Sequence, residues 1–180
     1  WLKPFWLKPF WLTAFSAHRF GLLGPRTHRA HGASRVAMGF QLPDGFGYVL
    51  IAHGLSWISN MYLTVQVVRA RKTYGVKYPA LYAPPGHPKG EEFNCVQRAH
   101  QNTLENWAPV QVLMVLNGIV HPLFAATCGS IWAVGRIVYG HGYAKKGPSG
   151  RMLGGLLSHL GDFPLLVGVF VAGAKMLRTA

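Results

Sequence analysis

Three polar residues stand at helical spacing in the stretch FNCVQRAHQNTLENWAP, residues 93–109. Arg98, Asn102 and Glu105 are separated by steps of four and three, so a helix places them on one face. A guanidinium, an amide and a carboxylate on one face can bind a small zwitterion, because arginine pairs with carboxylates through two hydrogen bonds and glutamate accepts from an ammonium group. The plainer interpretation is a solvated helix end just outside a membrane, where such pairs contribute little.

The overall composition favours a membrane protein. Hydrophobic residues make up 50% of the 180 residues and charged residues 13%, against roughly 25% charged in soluble domains. A net charge of +13 would suggest nucleic acid as the partner of a soluble protein. With long apolar segments, the charge instead favours a bilayer with anionic lipid, and we expect no nucleic-acid partner. The two cysteines and the scattered histidines lack the spacing of metal ligands, so we predict no metal.

Four apolar segments predict an all-α integral membrane protein, a bundle of four transmembrane helices. The predicted helices cover residues 46–68, 92–120, 123–143 and 152–176. The first has 23 residues without Lys, Arg, Asp or Glu, which is long enough to span a hydrocarbon core of about 30 Å. Gly154 and Gly155, at the start of the last helix, favour close helix packing.

The basic loops that follow the first and third helices then lie on one side of the membrane. The positive-inside rule directs them to the cytosol or to an equivalent compartment such as the mitochondrial matrix. The sequence leaves open whether the membrane is that of the endoplasmic reticulum or of the mitochondrion.

Residues 1–43 predict an irregular basic arm in front of the four-helix membrane domain of residues 44–180. The arm contains no Asp or Glu and opens with the repeat WLKPF, written twice. Proline in each repeat argues against a regular helix. We expect the tryptophans of the arm to contact a lipid interface or another protein. A composition of Arg, His and Ser without acids is also typical of an organelle transit peptide.

The predicted topology brings further cations and phenols to the membrane rim at which Arg98 lies. These residues, which stand at or near helix ends, are Arg71, Lys72, Tyr139, Tyr143 and Arg151. Several cations, one carboxylate, an amide and two phenols suit a small zwitterion with more than one carboxylate. Arg136 shares a face with the two tyrosines, and Asp162 of the last helix is a candidate partner for it.

The stretch FNCVQRAHQNTLEN resembles the signature of the family of membrane-associated proteins in eicosanoid and glutathione metabolism, the MAPEG family. Within that family it is closest to the microsomal glutathione transferases of the third type. The resemblance extends from about residue 47, through VRARKTYGVKYPALYA and VGRIVYGHGYAKKGPSGR, to about residue 155. It implies a homotrimer of four-helix subunits that binds glutathione, the co-substrate, between adjacent subunits.

The resemblance also implies roles for the residues at the rim. The residues expected to bind glutathione are Arg71, Lys72, Arg98, Asn102, Glu105, Tyr139 and Tyr143. Arg151 matches the arginine that stabilises the thiolate, if one extra residue is allowed before it. Apart from the resemblance, the phenol of Tyr139 or of Tyr143 can donate a proton to a leaving oxygen, and we select Tyr139 as the catalytic residue. The sequence departs from the family pattern at His100, Asn106, Trp107 and Ala108.

These expectations predict a glutathione transferase or peroxidase that acts on lipophilic electrophiles or lipid hydroperoxides through a stabilised thiolate. Two alternatives remain open. One is a glutathione-binding scaffold without turnover. The other is a non-catalytic accessory subunit of a larger membrane complex, such as a mitochondrial respiratory complex, whose other subunits the arm would contact.

Overall fold

The computed structural model describes residues 41–179, which form an all-helical fold without strands. The four α-helices are α1 (Phe46–Tyr74), α2 (Gly90–Val120), α3 (Pro122–Lys146) and α4 (Met152–Thr179). A turn of 3-10 helix, Gly147–Arg151, connects α3 to α4. The predicted arm, residues 1–43, lies outside the described residues except for its last three positions.

The helix α1 continues beyond the predicted end at residue 68. Arg71 and Lys72 lie in its last turn, where the helix dipole favours positive charge. The helix ends at Tyr74 because Gly75 adopts a left-handed conformation, with φ 72°. Arg71 and Lys72, which follow the predicted first helix in the sequence, therefore belong to the helix itself.

The helix α3 lies at the centre of the bundle and packs against α1, α2 and α4. Its Trp132 is fully buried, and it contacts a core that also holds Val49 of α1, Met114 of α2 and Leu165 of α4. In a lipid environment such packing depends on close steric fit, since burial from lipid brings little hydrophobic gain.

Glycines allow the backbones of α3 and α4 to approach closely. A Cβ added at Gly154 would lie 2.0 Å from the backbone nitrogen of Tyr139, and one added at Gly135 would lie 2.5 Å from the backbone nitrogen of Ser158. The predicted close packing is thus confirmed at Gly154. Gly155 is different, because its nearest neighbour would be the ring of Tyr139 at an ordinary 3.9 Å.

Apolar side chains cover the outward faces of α1 and α4, including the exposed Leu50, Ile51, Val167 and Phe170. Within residues 41–179, one helical stretch is long and apolar enough by itself to cross a membrane: Pro122–Arg178, which covers α3, the 3-10 turn and α4. The other two helices carry more polar residues, which lowers their hydropathy. Residues 41–179 thus hold four α-helices, and the crossing of a membrane by each of them stays a prediction.

Candidate functional site

The first half of α2 presents a hydrogen-bonded group of polar side chains on one face. Nη1 of Arg98 donates to Oε1 of Glu105 at 2.8 Å, and Nδ2 of Asn102 lies 3.5 Å from Oε2 of the same carboxylate. The side chains of Arg98 and Glu105 are 42% and 45% exposed. A pair so exposed contributes little to folding, and both side chains are accessible to a ligand.

Asn102 also connects this face to α3. Its Oδ1 accepts a hydrogen bond of 2.9 Å from Nη1 of Arg136, which is only 3% exposed. The guanidinium of Arg136 lies 5.3 Å from the ring centroids of both Trp132 and Tyr139. The polar group on α2 is therefore continuous with a buried cation, and that cation is oriented by two aromatic rings.

The hydrogen-bond partner of Arg136 is thus Asn102 and not Asp162, the partner suggested by the sequence. Asp162 lies beside His159 instead, with 3.1 Å between Oδ1 and the imidazole Nδ1. The two residues are three positions apart on α4, where helical spacing brings their side chains together.

The predicted tyrosines form a buried pair next to this group. The rings of Tyr139 and Tyr143 meet edge to face, with centroids 5.8 Å apart and an angle of 88° between the planes. The guanidinium of Arg151, on the 3-10 turn, lies 5.4 Å from the ring centroid of Tyr143. Arg151 itself is exposed. Tyr143 therefore lies near both Tyr139 and Arg151, the arginine to which the family resemblance gives the thiolate role.

Two cavities open beside these residues. The first, of about 520 Å³, is lined by polar groups of Asn102, Arg136, Tyr139, Arg151 and His159. The second, of about 490 Å³, is lined by residues that include Tyr82, Arg98, Tyr143 and Cys95. Of the predicted site residues, Asn102, Tyr139 and Arg151 line the first cavity, which we call the Arg151 cavity. Arg98 and Tyr143 line the second, which we call the Arg98 cavity, and Glu105 lines neither.

Arg71 and Lys72 lie apart from both cavities. The Arg71 guanidinium donates to the carbonyl of Ala80 at 2.8 Å, and it lies 4.3 Å from the ring centroid of Tyr78 and 5.2 Å from that of Phe93. These contacts hold the connection between α1 and α2 against the helices. Lys72 is exposed at the end of α1.

An exposed ion pair marks the aqueous start of α2. Nζ of Lys89 lies 2.9 Å from Oε1 of Glu92. The hydrogen bond from Lys89 lowers the pKa of Glu92 below its usual range, and the same bond raises the pKa of Lys89. Glu92 lies in the first helical turn, where the helix dipole also favours a carboxylate.

Two residues near the site, Arg136 and Tyr82, were not among the residues that the sequence analysis assigned to glutathione binding or catalysis. Arg136 carried a signal, since a single charged residue in an apolar helix is costly unless it has a function. Tyr82 carried none, because it lies in a proline-rich connection whose path depends on the fold. Its hydroxyl donates to Oε1 of Gln101, and its ring lines the Arg98 cavity.

Comparison with known proteins identifies the family to which the chain belongs. The model of the MAPEG family matches residues 49–171. The chain belongs to the MAPEG family. This MAPEG protein is 35% identical over 125 residues to an uncharacterized protein of Synechocystis sp., a match that covers 69% of this chain and 86% of that relative.

Leukotriene C4 synthases are further relatives of this MAPEG protein. It is 32% identical over 93 residues to the synthase of Bos taurus and 34% identical over 93 residues to that of Rattus norvegicus. Each match covers 51% of this chain and 58% of the synthase. The chain thus spans little more than half of the length of these enzymes.

Membership of the family confirms the resemblance read from the signature stretch. Together with the apolar stretch Pro122–Arg178, it supports an integral membrane protein whose function is related to glutathione at the level of the family. The finer resemblance to transferases of the third type stays a prediction, as do the roles of the individual site residues.

Proposed function

We propose that this MAPEG protein is a membrane glutathione transferase or peroxidase that acts on lipophilic electrophiles or lipid hydroperoxides. The observation that carries the proposal is the connected group of Arg98, Glu105, Asn102 and Arg136, which lies beside two cavities. Two guanidiniums, an amide and a carboxylate within one hydrogen-bonded group suit a ligand that carries both signs of charge.

Glutathione has two carboxylates, one ammonium group and a thiol, and the group offers a partner for each charged part. Arg98 and Arg136 can bind carboxylates, and Glu105 can accept from the ammonium group. Nε of Arg136 is buried without a hydrogen-bond partner within residues 41–179, so an unsatisfied donor belongs to a residue that lines the Arg151 cavity. Both cavities also fall in the range of roughly 300–1,000 Å³ that is typical of small-molecule sites.

Arg151 and Tyr139 would carry the chemistry, and both line the Arg151 cavity. A free thiol titrates near pH 8.5, and an adjacent guanidinium favours the thiolate and lowers the pKa of the thiol. Arg151 would stabilise the glutathione thiolate in this way. Tyr139, whose side chain is buried beside Arg136, would donate a proton to the oxygen that leaves.

With a carbon electrophile such as an epoxide, the thiolate sulfur forms a bond to carbon, the carbon–oxygen bond breaks, and the alkoxide takes the proton. With a lipid hydroperoxide, the sulfur attacks the terminal oxygen and the O–O bond breaks. The products are the lipid alcohol and a glutathione sulfenic acid, which a second glutathione converts to the disulfide and water.

The proposal includes four membrane spans and a homotrimer. In a single chain Arg71 and Lys72 line neither cavity, and a site between subunits, as in the family, would allow α1 of a neighbour to approach.

The exposed Leu156 and Met152 form an apolar edge of the Arg151 cavity, through which a lipid could enter from the bilayer. We place the protein in the endoplasmic reticulum or mitochondrial membrane, with this end of the bundle toward the cytosol or matrix.

The test uses the full-length protein purified in detergent. Glutathione binding is measured by calorimetry, and turnover is measured with chlorodinitrobenzene and with a fatty-acid hydroperoxide. Arg151→Ala should lower kcat about 100-fold or more, as expected for loss of a group that stabilises developing charge, and should leave the Kd of glutathione nearly unchanged. Arg178→Ala is the matched control, since Arg178 is an exposed arginine about 40 Å farther along α4.

Each outcome separates the candidate functions. Turnover by Arg151→Ala at the wild-type rate would show that Arg151 has another role. Glutathione binding by the wild-type trimer without any turnover would favour the scaffold. No binding at all, with one copy of the chain among other subunits in a native membrane extract, would favour the accessory subunit.

A further inference from the structure

A further cavity of about 770 Å³ lies beside α3, and neither Tyr139 nor Tyr143 lines it. Met152 lines both this cavity and the Arg151 cavity. The further cavity is bounded by α1, α3, the 3-10 turn and the first residues of α4. Its polar lining includes His141, Lys145 and Lys146. None of these residues belongs to the site proposed above, so the cavity requires its own explanation.

The lining changes from apolar to cationic along α3. Ile137 and Val138 contribute hydrocarbon, whereas Lys145 and Lys146 lie in the last helical turn. Eight residues separate Ile137 from Lys145, which corresponds to about 12 Å along a helix axis. Over this length the lysines complement the anionic head of an amphiphile, and Ile137 and Val138 complement its apolar body.

The electrostatic character of the cavity is positive. Both lysines are exposed, and the imidazole of His141 lies next to them with its Nδ1 3.5 Å from the hydroxyl of Tyr62. Within residues 41–179, no Asp or Glu lines this cavity. The apolar part continues to Leu153 of α4, which is 63% exposed, so the cavity is open toward the side where lipid would lie.

Two glycines allow the 3-10 turn to contact α3 directly at the wall of this cavity. A Cβ at Gly142 would lie 2.1 Å from the carbonyl oxygen of Gly150, and a Cβ at Gly150 would lie 2.2 Å from that of Gly142. The 3-10 turn therefore rests directly on the backbone of α3. Ser149 on this turn also lines the cavity, and its hydroxyl donates to the carbonyl of Lys146 at 3.3 Å.

We propose that this cavity binds the phosphate-bearing headgroup of an anionic phospholipid, and we call it the headgroup cavity. Lys145 and Lys146 bind the phosphate, and His141 and Tyr62 offer hydrogen bonds to the glycerol and ester oxygens. The first carbons of the acyl chains pack on Ile137 and on the apolar start of α4. A soluble phosphate compound shares the phosphate chemistry but lacks the part that the apolar lining fits.

The experiment compares lipids bound to the full-length protein in nanodiscs that contain phosphatidylcholine with or without phosphatidylglycerol. Native mass spectrometry counts the retained lipids of each kind. The wild-type protein should retain phosphatidylglycerol preferentially. Lys145→Gln/Lys146→Gln should weaken this preference about tenfold or more, since each lysine near an anionic surface contributes about a factor of five.

The matched control is Arg69→Gln/Lys77→Gln, which removes the same charge from exposed positions near the end of α1. It should retain the wild-type preference. An equal loss in both double variants would show a general surface-charge effect and would overturn the proposal, as would an unchanged preference in the lysine variant. Neither pair takes part in the proposed chemistry, so glutathione turnover provides an independent check that each variant is folded.

A second arm identifies the source of the phosphate. Glycerol 3-phosphate and inorganic phosphate are each added to the nanodiscs that contain phosphatidylglycerol. The lipid should remain bound, because the soluble compounds cannot use the apolar lining. Displacement of the lipid by either compound at comparable concentration would assign the cavity to a soluble anion and overturn the lipid proposal.

Discussion

Asn102 on α2 and Arg136 on α3 are joined by a hydrogen bond of 2.9 Å between the amide oxygen and the guanidinium. The same amide carries a nitrogen that lies 3.5 Å from the carboxylate of Glu105. The neutral side chain of Asn102 thus connects the exposed Arg98–Glu105 ion pair to the buried Arg136. Because Arg136 is 3% exposed, it depends on this acceptor far more than Arg98 depends on Glu105.

Replacement of Asn102 should therefore destabilise the protein. Asn102→Leu leaves the buried Arg136 without its acceptor, and we expect a loss of about 1–3 kcal/mol in the free energy of unfolding. Thermal unfolding in detergent, followed by circular dichroism, measures the effect. Asn106→Leu is the control, because the amide of Asn106 donates only within α2, to the carbonyl of Asn102. Equal melting temperatures for the two variants would contradict the prediction.

Arg98 and Glu105 should show the opposite behaviour, with an effect on binding and little on stability. Arg98→Ala should raise the Kd of glutathione about tenfold or more, since a hydrogen bond between two charged groups is stronger than one between neutral groups. The melting temperature without ligand should change little, because the pair is exposed. Calorimetry and thermal unfolding are measured on the same sample, with Arg69→Ala as the control. A stable Arg98→Ala protein with wild-type affinity would exclude Arg98 from the ligand site.

Arg71 should act on the connection between α1 and α2. Arg71→Ala removes the hydrogen bond to Ala80 and the stacking on Tyr78, so limited proteolysis should cut residues 75–89 faster. Arg71→Lys should restore little, because an ammonium group cannot stack and donate in the same planar arrangement. Arg69→Ala is the control, because Arg69 is an exposed arginine of the same helix with no part in the proposed site. Unchanged proteolysis together with a weaker affinity for glutathione would instead support the ligand role that the family resemblance implies.

The two neighbouring glycines at the start of α4 should respond differently to the same substitution. Gly154→Ala places a methyl group against the backbone of Tyr139, and the overpacking should cost about 1–3 kcal/mol or more. Gly155→Ala meets only the Tyr139 ring at 3.9 Å and should be nearly neutral. Thermal unfolding compares the two variants. Since Tyr139 is the proposed proton donor, Gly154→Ala should also lower turnover. A neutral Gly154→Ala would mean that α4 can shift freely along α3.

The shared polar face on α2 could be predicted from the sequence because it depends on helical spacing alone. Arg98, Asn102 and Glu105 share a face in any regular helix, and the structure joins them as expected. The partner of Arg136 could not be predicted in this way. It depends on the rotation of α3 against α2, which the close packing of many side chains determines together.

The contacts of Arg71 could likewise not be predicted from the sequence. Its place in the sequence predicts a location near the membrane rim, and it does lie at the end of α1. Where it points laterally depends on the path of a proline-rich connection, which folds back so that Ala80 accepts its hydrogen bond. The depth of a residue in the bundle can thus be predicted from its distance to a helix end. Its contacts with other helices and connections can be known only from the tertiary structure.

The placement of α3 has a consequence for regulation. Tyr139 and His141, like Tyr143 and Lys145, are separated by about 200° around the helix axis, so α3 presents the proposed glutathione site on one side and the proposed headgroup cavity on the other. If a ligand in one cavity rotates α3, it changes the affinity of the second cavity for its ligand by some factor. The ligand of the second cavity must then change the affinity of the first by the same factor, because thermodynamic coupling is reciprocal. Bilayer composition would then act as an effector. Glutathione affinity that is identical in nanodiscs with and without phosphatidylglycerol would show that α3 transmits no such coupling.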